Sequence, residues 1–313
     1  MKKLIIVTVL IMLASCATVR HASAPAAGLP GGEAMNQSGS VSVEDQDHLI
    51  LATLWYQKSA EMRALYYQCF RNAETALKEN LELQRQTWSA PEHHQAESPA
   101  VSALSAGETD GAALDHRPRT GPVKPAAVVL DIDETLLDNS PFQGWQVLEK
   151  KSFNNDDWFR WVELARARPL PGAVEFTMYA DSLGVEVFYV SNRTVQERGP
   201  TIQNMAAMGF ANADSAHILL KETTSSKAER RAMIENNYEI ILLVGDNLAD
   251  LGDSYEKRGA DYGFGAVDAD RRLFGTKYIV LPNPMYGNWL NDLLRTAPGS
   301  TEVEKLVNLL NGF

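Results

Sequence analysis

The chain has 313 residues and a net charge of −11 at pH 7, from 29 Lys and Arg against 40 Asp and Glu. A hydrophobic share of 45% supplies a globular core and excludes wholesale disorder, and the acidic surplus excludes a scaffold for nucleic-acid polymers. Two cysteines, Cys16 and Cys69, exclude a disulfide framework.

Residues 1–16, MKKLIIVTVLIMLASC, join a basic start at Lys2 and Lys3 to an apolar run from Leu4 to Leu13. That run is too short to cross about 30 Å of hydrocarbon as a helix, so it reads as a signal peptide. Its Leu13-Ala14-Ser15-Cys16 ending resembles a bacterial lipoprotein box. The resemblance implies that Cys16 becomes the first mature residue and carries acyl chains such as palmitate, which hold the protein on a membrane. No Asp follows Cys16, only Ala17 and Thr18, so the expected address is the outer membrane. Loss of Lys2 and Lys3 leaves a mature charge of −13.

Residues 17–42 are rich in Ala, Gly, Ser and Pro and read as a flexible tether. Residues 43–88 are helical by spacing: Leu51, Leu54, Trp55, Met62, Leu65, Tyr66, Cys69, Ala73, Ala76 and Leu77 recur every three or four positions, with no Pro or Gly. The aromatics Trp55, Tyr56, Tyr66, Tyr67 and Phe70 are expected as a packed stripe, and Cys69 as a small buried group. Residues 89–124 are poor in large apolar groups and read as a linker or insertion, in which His93 and His94 are poor metal ligands.

From residue 125 to 313 short apolar runs alternate with helical patterns. Strands are predicted at Ala126–Ile132, Val185–Val190, Ala216–Leu220, Ile240–Val244 and Tyr278–Leu281, and helices at Ala173–Leu183, Thr194–Met208 and Ser226–Asn236. This alternation predicts an α/β fold with a doubly wound parallel sheet, whose ligands bind at the carboxyl ends of the strands. Four such places carry chemistry. Asp131 and Asp133 follow the first strand within DIDET, Ser191-Asn192-Arg193 follow the second, Lys227 opens a helix, and Asp246 and Asp250 follow the fourth within GDNLAD.

In this order these segments resemble the four motifs of the haloacid dehalogenase (HAD) superfamily. DNSPFQGWQV at 138–147, RPLPGAVEF at 168–176 and LPNPMYGNW at 281–289 narrow the resemblance to the class C bacterial acid phosphatases, including outer-membrane 5′-nucleotidase lipoproteins. The resemblance implies a HAD-like core with a smaller, mostly helical cap, built from residues 43–88 and an insertion near 138–170. It implies hydrolysis of phosphate monoesters (nucleoside 5′-monophosphates, nicotinamide mononucleotide and aryl phosphates) through an aspartyl-phosphate. Asp131 is then the nucleophile and Asp133 the general acid and base. Ser191, Asn192 and Lys227, with Lys221 as a rival, bind the phosphate. One Mg²⁺ is held by Asp131, Asp246 and the Asp133 carbonyl, with Asp250 orienting a water beside it. Trp158 and Tyr286 stack on the substrate, with Trp289 close behind.

The alternative is a catalytically minor surface lipoprotein serving in adhesion, ligand binding or haem carriage. A binding protein has no physical need for the complete acidic set, and His217, the one histidine of the core, reads as a packed residue. The oligomeric state stays open, with a homodimer as the alternative to a monomer.

Overall fold

Alternate residues of β1 (Ala126–Leu130) face opposite sides of a sheet. Ala126, Val128 and Leu130 enter one apolar cluster, Ala127 and Val129 another. A strand buried on both faces belongs at the centre of a parallel sheet. The computed structural model, which describes residues 49–89 and 124–313, places it there. The short β2 (Leu137–Asp138) and β3 (Arg168–Pro169) pair antiparallel outside that sheet. The sheet itself joins β1 to β4 (Glu186–Thr194), β5 (Ile218–Lys221), β6 (Glu239–Gly245) and β7 (Tyr278–Val280), all parallel, in the order β5-β4-β1-β6-β7. The expected signal peptide, the tether, most of the linker and Cys16, His93 and His94 lie outside the described residues.

The predicted N-terminal helix is divided. α1 (Ile50–Lys58) stops at Ser59, whose backbone is extended (φ −82°, ψ 139°), and α2 (Ala60–Ser89) restarts with the Ser59 hydroxyl accepting from the Met62 amide at 3.0 Å. Serine in this place satisfies one of the amides that a helix start leaves unpaired. The break turns α1, so Leu51 and Leu54 of the expected stripe are 80% and 47% exposed, and Leu65 is exposed as well. The buried line runs instead through Met62, Tyr66, Phe70, Ala73, Leu77 and Leu81. It lies on the sheet beside α5 (Ala173–Ser182), where Phe70 meets Phe176 with ring centroids 5.7 Å apart. α2 is thus a layer of the core, while α1 packs on α3 (Ser140–Glu149). Cys69 is only half-buried, with its thiol 3.4 Å from the Val280 carbonyl.

β6 carries one extra residue opposite β1, because the register steps from Ile240 to Leu242 between Ala127 and Val128. A bulge leaves its extra residue outside the ladder. Here the Ile241 carbonyl is taken up by Asn80 of α2, whose side-chain amide donates to it at 2.9 Å and to the Thr276 carbonyl at 2.8 Å.

Between β2 and β3 the chain leaves the core as α3 and α4 (Asn155–Glu163) and returns through the two-stranded ribbon, with Leu137 opposite Pro169 and Asp138 opposite Arg168. α6 (Arg198–Met208) contributes Met205 to the α2 face of the sheet, and α7 (Ala228–Glu235) and α8 (Leu248–Leu251) cover the other face through Ile234 and Leu251. Several predicted boundaries shift, two of them at candidate site residues. β4 continues past Val190 through a register shift to Thr194, so Ser191, Asn192 and Arg193 lie within the strand. Lys227 sits just before α7, at its N-cap position. After α9 (Phe264–Ala269), helices α10 (Asn288–Thr296) and α11 (Glu302–Asn308) form a C-terminal hairpin.

Candidate active site

From β1 the next parallel strand, β4, lies to one side and β6 to the other, which opens a crevice at the carboxyl end of β1. Asp131 leaves β1 into it, and Asp246 leaves β6 beside it. Carboxylate oxygens of Asp131, Asp246 and Asp250 lie within 4.8 Å of one another. Asp250, expected behind the metal, therefore shares one oxygen cluster with the other two. The Lys227 ammonium reaches in from the start of α7, bonded to Asp131 and 2.7 Å from Asp250. Lys221, the register partner of Thr194 at the end of β5, is not among the residues that line the cavity over this cluster, whereas Lys227 is.

Charge in this crevice is crowded. Burial pushes the Asp131 carboxyl up to about 7, against the pull of Lys227 and with added push from Asp250 and Asp133. Asp246 is likewise held well above the usual carboxylate range, by burial first and then by Asp250 and Asp131. Burial pulls the Lys227 ammonium down, but Asp131 and Asp250 outweigh it and leave the group above its ordinary value. One ammonium thus faces three carboxylates in a water-poor site. An all-oxygen donor set with surplus negative charge suits a hard divalent cation, so these residues fit Mg²⁺.

Asp133, two positions on, turns away from that cluster toward the buried side chain of Arg193. The guanidinium donates to Oδ1 from Nη2 at 2.8 Å and from Nε at 3.0 Å, and Nε lies 3.2 Å from Oδ2. Burial lowers the Arg193 pKa, and the Asp133 charge more than restores it. Asn139 adds a bond from Nδ2 to Oδ1 at 2.8 Å, and the Ser191 hydroxyl lies 3.4 Å from Oδ2. Ser191 is fully buried, its oxygen also accepting from the Arg193 amide at 3.1 Å. Arg230 ties this strand end to the Lys227 loop, donating to the Ser191 carbonyl at 2.5 Å, Asn192 Oδ1 at 2.8 Å and the Ser226 carbonyl at 2.9 Å.

Between Asp133 and Thr135 stands Glu134, fully buried with φ +55°, a left-handed conformation that a residue with a Cβ adopts only under constraint. The constraint is visible at both ends of the residue. Its amide donates to the Leu137 carbonyl at 3.0 Å, and its carbonyl accepts from Tyr66 at 2.5 Å, with the Tyr56 hydroxyl 2.5 Å from that of Tyr66. Its carboxylate accepts from the Asn139 amide at 2.7 Å and from the Tyr286 hydroxyl. Burial, then Asp133 and Asp246, hold the Glu134 carboxyl well above its ordinary value. The aromatic stripe of α1 and α2 therefore props the turn that carries the acidic pair.

A cavity of about 530 Å³ opens over these groups, lined by Asp131, Asp133, Asn192, Arg193, Lys227, Asp246 and Asp250 at its floor. Trp158 and Tyr286 both stand on its walls, with Gln143 and Gln146 on the α3 side and Asn288 and Asn291 on the α10 side. Trp158 packs edge-on to Phe142 at 5.2 Å, and the Arg193 guanidinium lies 5.7 Å from its ring centre. Trp289 does not line this cavity. His217 lies apart from the crevice, just before β5, with Asp214 and Glu186 carboxylates 2.9 and 3.0 Å from its two ring nitrogens. It has no nitrogen left for an axial haem bond.

Arg193, Asn139, Glu134 and Arg230 had no role in the sequence reading. The available signal was Arg193 itself, because an arginine directly after a strand-end Ser-Asn in an apolar sheet is buried and must find a carboxylate. Gly245 explains itself only in three dimensions. A Cβ there would lie 2.4 Å from Asp250 Oδ2 and 2.5 Å from its Cβ. Gly245→Ala is expected to displace Asp250 and to weaken divalent-cation affinity about 10–100-fold by titration calorimetry, with unchanged far-UV dichroism. Undiminished affinity would remove Asp250 from the metal site.

The family described as HAD superfamily, subfamily IIIB (Acid phosphatase), matches residues 52–289. Among solved structures, the class C acid phosphatase from Bacillus anthracis is 32% identical with a TM-score of 0.68, covering 86% of this chain and 98% of that one. A structure of the Bacillus anthracis class C enzyme with tungstate bound is 31% identical with the same TM-score and coverage. Acid phosphatase 1 of Solanum lycopersicum is 29% identical over 50% of this chain and 57% of its own, and vegetative storage protein 2 of Arabidopsis thaliana is 24% identical over 50% and 55%. The chain thus spans little more than half the length of these curated relatives. The family match takes in every strand of the sheet and all the acidic residues of the crevice, so the chain belongs to the acid phosphatases of HAD subfamily IIIB.

Proposed function

We propose that this chain hydrolyses phosphate monoesters with Mg²⁺, through an aspartyl-phosphate on Asp131. The observation that carries the reading is the pairing of two differently held carboxylates at one strand tip. Asp131 lies among Asp246, Asp250 and Lys227, while Asp133 is bound by Arg193 and Asn139. Asp131, Asp246 and Asp250, with the Asp133 carbonyl as the further ligand expected from the family, would hold Mg²⁺, which would supply the positive charge that offsets the repulsion between a carboxylate nucleophile and a phosphate dianion. An Asp131 oxygen bonds to phosphorus as the bond to the leaving oxygen breaks. Asp133 gives its proton to that oxygen, then takes one from the water that attacks the aspartyl-phosphate. Lys227 balances charge on Asp131 and on the transferring oxygens, and Ser191 and the Asn192 amide serve the same oxygens. A protein of storage or binding function alone, which the plant storage relatives suggest as a second reading, would have no use for this arrangement.

The decisive measurement is phosphate release from p-nitrophenyl phosphate with Mg²⁺ and with chelator. Activity is expected with the metal only, and Asp131→Asn is expected to abolish it. More than a few per cent of wild-type turnover in Asp131→Asn would overturn the covalent route.

Nucleoside 5′-monophosphates and nicotinamide mononucleotide suit the cavity, because the aromatic side chains of Trp158 and Tyr286 line it beside several amide side chains. Stacking contributes roughly 1–3 kcal/mol per base, so Trp158→Ala and Tyr286→Ala are expected to lower kcat/KM on a nucleoside monophosphate about 5- to 150-fold. The loss should lie in KM and should be much smaller on a small alkyl phosphate. Equal losses on both esters would assign the two rings to packing alone.

The Cys16 reading leads to the outer membrane. Wild-type protein should partition into detergent and Cys16→Ser should not, whereas a membrane-bound Cys16→Ser would overturn lipid anchoring there.

A further inference from the structure

Asp133 is held unsymmetrically. Oδ1 accepts three N–H groups, from Arg193 Nη2 at 2.8 Å, Arg193 Nε at 3.0 Å and Asn139 Nδ2 at 2.8 Å. Oδ2 has only longer contacts, Arg193 Nε at 3.2 Å and the Ser191 hydroxyl at 3.4 Å. An oxygen surrounded by three donors has no room for a proton of its own.

The two donors are fixed from behind. Asn139 Oδ1 accepts from Trp161 Nε1 at 2.8 Å, and an indole N–H can only donate. The Asn139 oxygen must therefore face Trp161, which turns its NH₂ group toward Asp133. Arg193 is held at its far side by Nη1 donating to Thr201 at 3.1 Å, and its guanidinium is 5.7 Å from the Trp158 ring centre. Asn139 is fully buried and Arg193 only 3% exposed, so neither clamp is competed away by water. One clamp comes from the segment that leaves the core and the other from the sheet, and they meet on a single carboxylate oxygen.

We propose that Arg193 and Asn139, the latter set by Trp161, are positioning residues that occupy Asp133 Oδ1 and present Oδ2 to the leaving oxygen. This rests on the reading of Asp133 as the acid. In the step concerned, the phosphorus–oxygen bond to the leaving group breaks, its electron pair stays on the leaving oxygen, and the proton on Oδ2 passes to it. The bond from Asp131 to phosphorus forms at the same time. A guanidinium fork fits both edges of a carboxylate, and a lysine in its place keeps the charge without the geometry.

Leaving-group dependence tests this, because only alkyl esters need the proton and nitrophenolate departs without it. The readout is kcat/KM, which covers the step in which the leaving group departs. It is compared between a small alkyl phosphate and p-nitrophenyl phosphate for wild type, Arg193→Lys, Trp161→Phe and Asp133→Asn. Arg193→Lys is expected to lose about 100-fold on the alkyl ester and far less on the aryl one, because a misplaced acid costs on that scale. Trp161→Phe keeps an aromatic ring, removes the N–H that sets Asn139 and replaces no residue that touches Asp133, and should shift the alkyl-to-aryl ratio in the same direction by a smaller factor. If Arg193→Lys fails to fold, Trp161→Phe decides alone. Equal losses on the two esters in both variants, while Asp133→Asn discriminates strongly, would overturn the positioning role and leave the acid in place. Equal losses in Asp133→Asn itself would overturn the reading of Asp133, a separate result.

Discussion

Three carboxylates and one ammonium at the mouth of a parallel sheet set the terms for everything around them. Asp131, Asp246 and Asp250 repel one another across a gap of a few ångströms, and burial removes the water that would screen them. Such a cluster survives in a folded chain only if the scaffold forces it, and the scaffold does so from three directions. β1 and β6 are locked side by side in the sheet, Gly245 lets Asp250 approach the strand end, and Lys227 arrives at the head of α7. Thr135 adds a tie, accepting from the Asp246 amide at 3.0 Å. Under the proposed function, a divalent cation bound among these crowded carboxylates would release the protons they hold.

The loop after β7 repeats the same logic on the opposite wall. Asn283 donates to Asp246 Oδ2 at 2.8 Å, and Tyr286, three residues on, donates to Glu134. One short segment thus touches both Asp246 and Glu134 and carries an aromatic wall of the cavity. The Pro282 carbonyl lies 3.3 Å from the Tyr66 hydroxyl, so α2 supports this segment as well as the acidic turn. The cavity wall at Tyr286 and the tie to Asp246 at Asn283 thus come from one segment.

How much of this the sequence disclosed depends on the kind of interaction. The sheet was legible because burial on both faces forces a continuous apolar run, as in AAVVL and IILLV, and the acidic residues were legible because they stand where such runs stop. Ser59 was not, since a serine inside a helical pattern is as often solvated as it is a cap, and only the direction of α1 decides. The hydroxyls of Tyr56 and Tyr66 were hidden by their own rings: the apolar body explains the spacing fully, so nothing in the pattern asks where the polar end goes. Glu134 was hidden in the same way, between two residues of greater chemical interest. Ties of this sort run between segments far apart in the chain, 68 residues for Tyr66 and 152 for Tyr286. No local spacing encodes them.

A division of labour follows from where the charges sit. The strand tips supply groups that must lie close despite repulsion, and they are held by backbone pairing, which does not yield. The segment between β2 and β3 supplies groups that orient or select: Asn139 and Trp161 toward Asp133, and Trp158, Gln143 and Gln146 toward the cavity. That segment is joined to the core through a ribbon only two residue pairs long, so its internal packing, such as Phe142 on Trp158, must keep it in shape. The guanidinium of Arg193 belongs to the sheet yet lies against Trp158 and binds Asp133, so it bridges the rigid and the selective parts. Chemistry and selection therefore share one side chain. Arg193 is tied to Asp133 and Thr201 by bonds that do not involve the Trp158 ring, so the wall can change while the clamp on Asp133 stays in place.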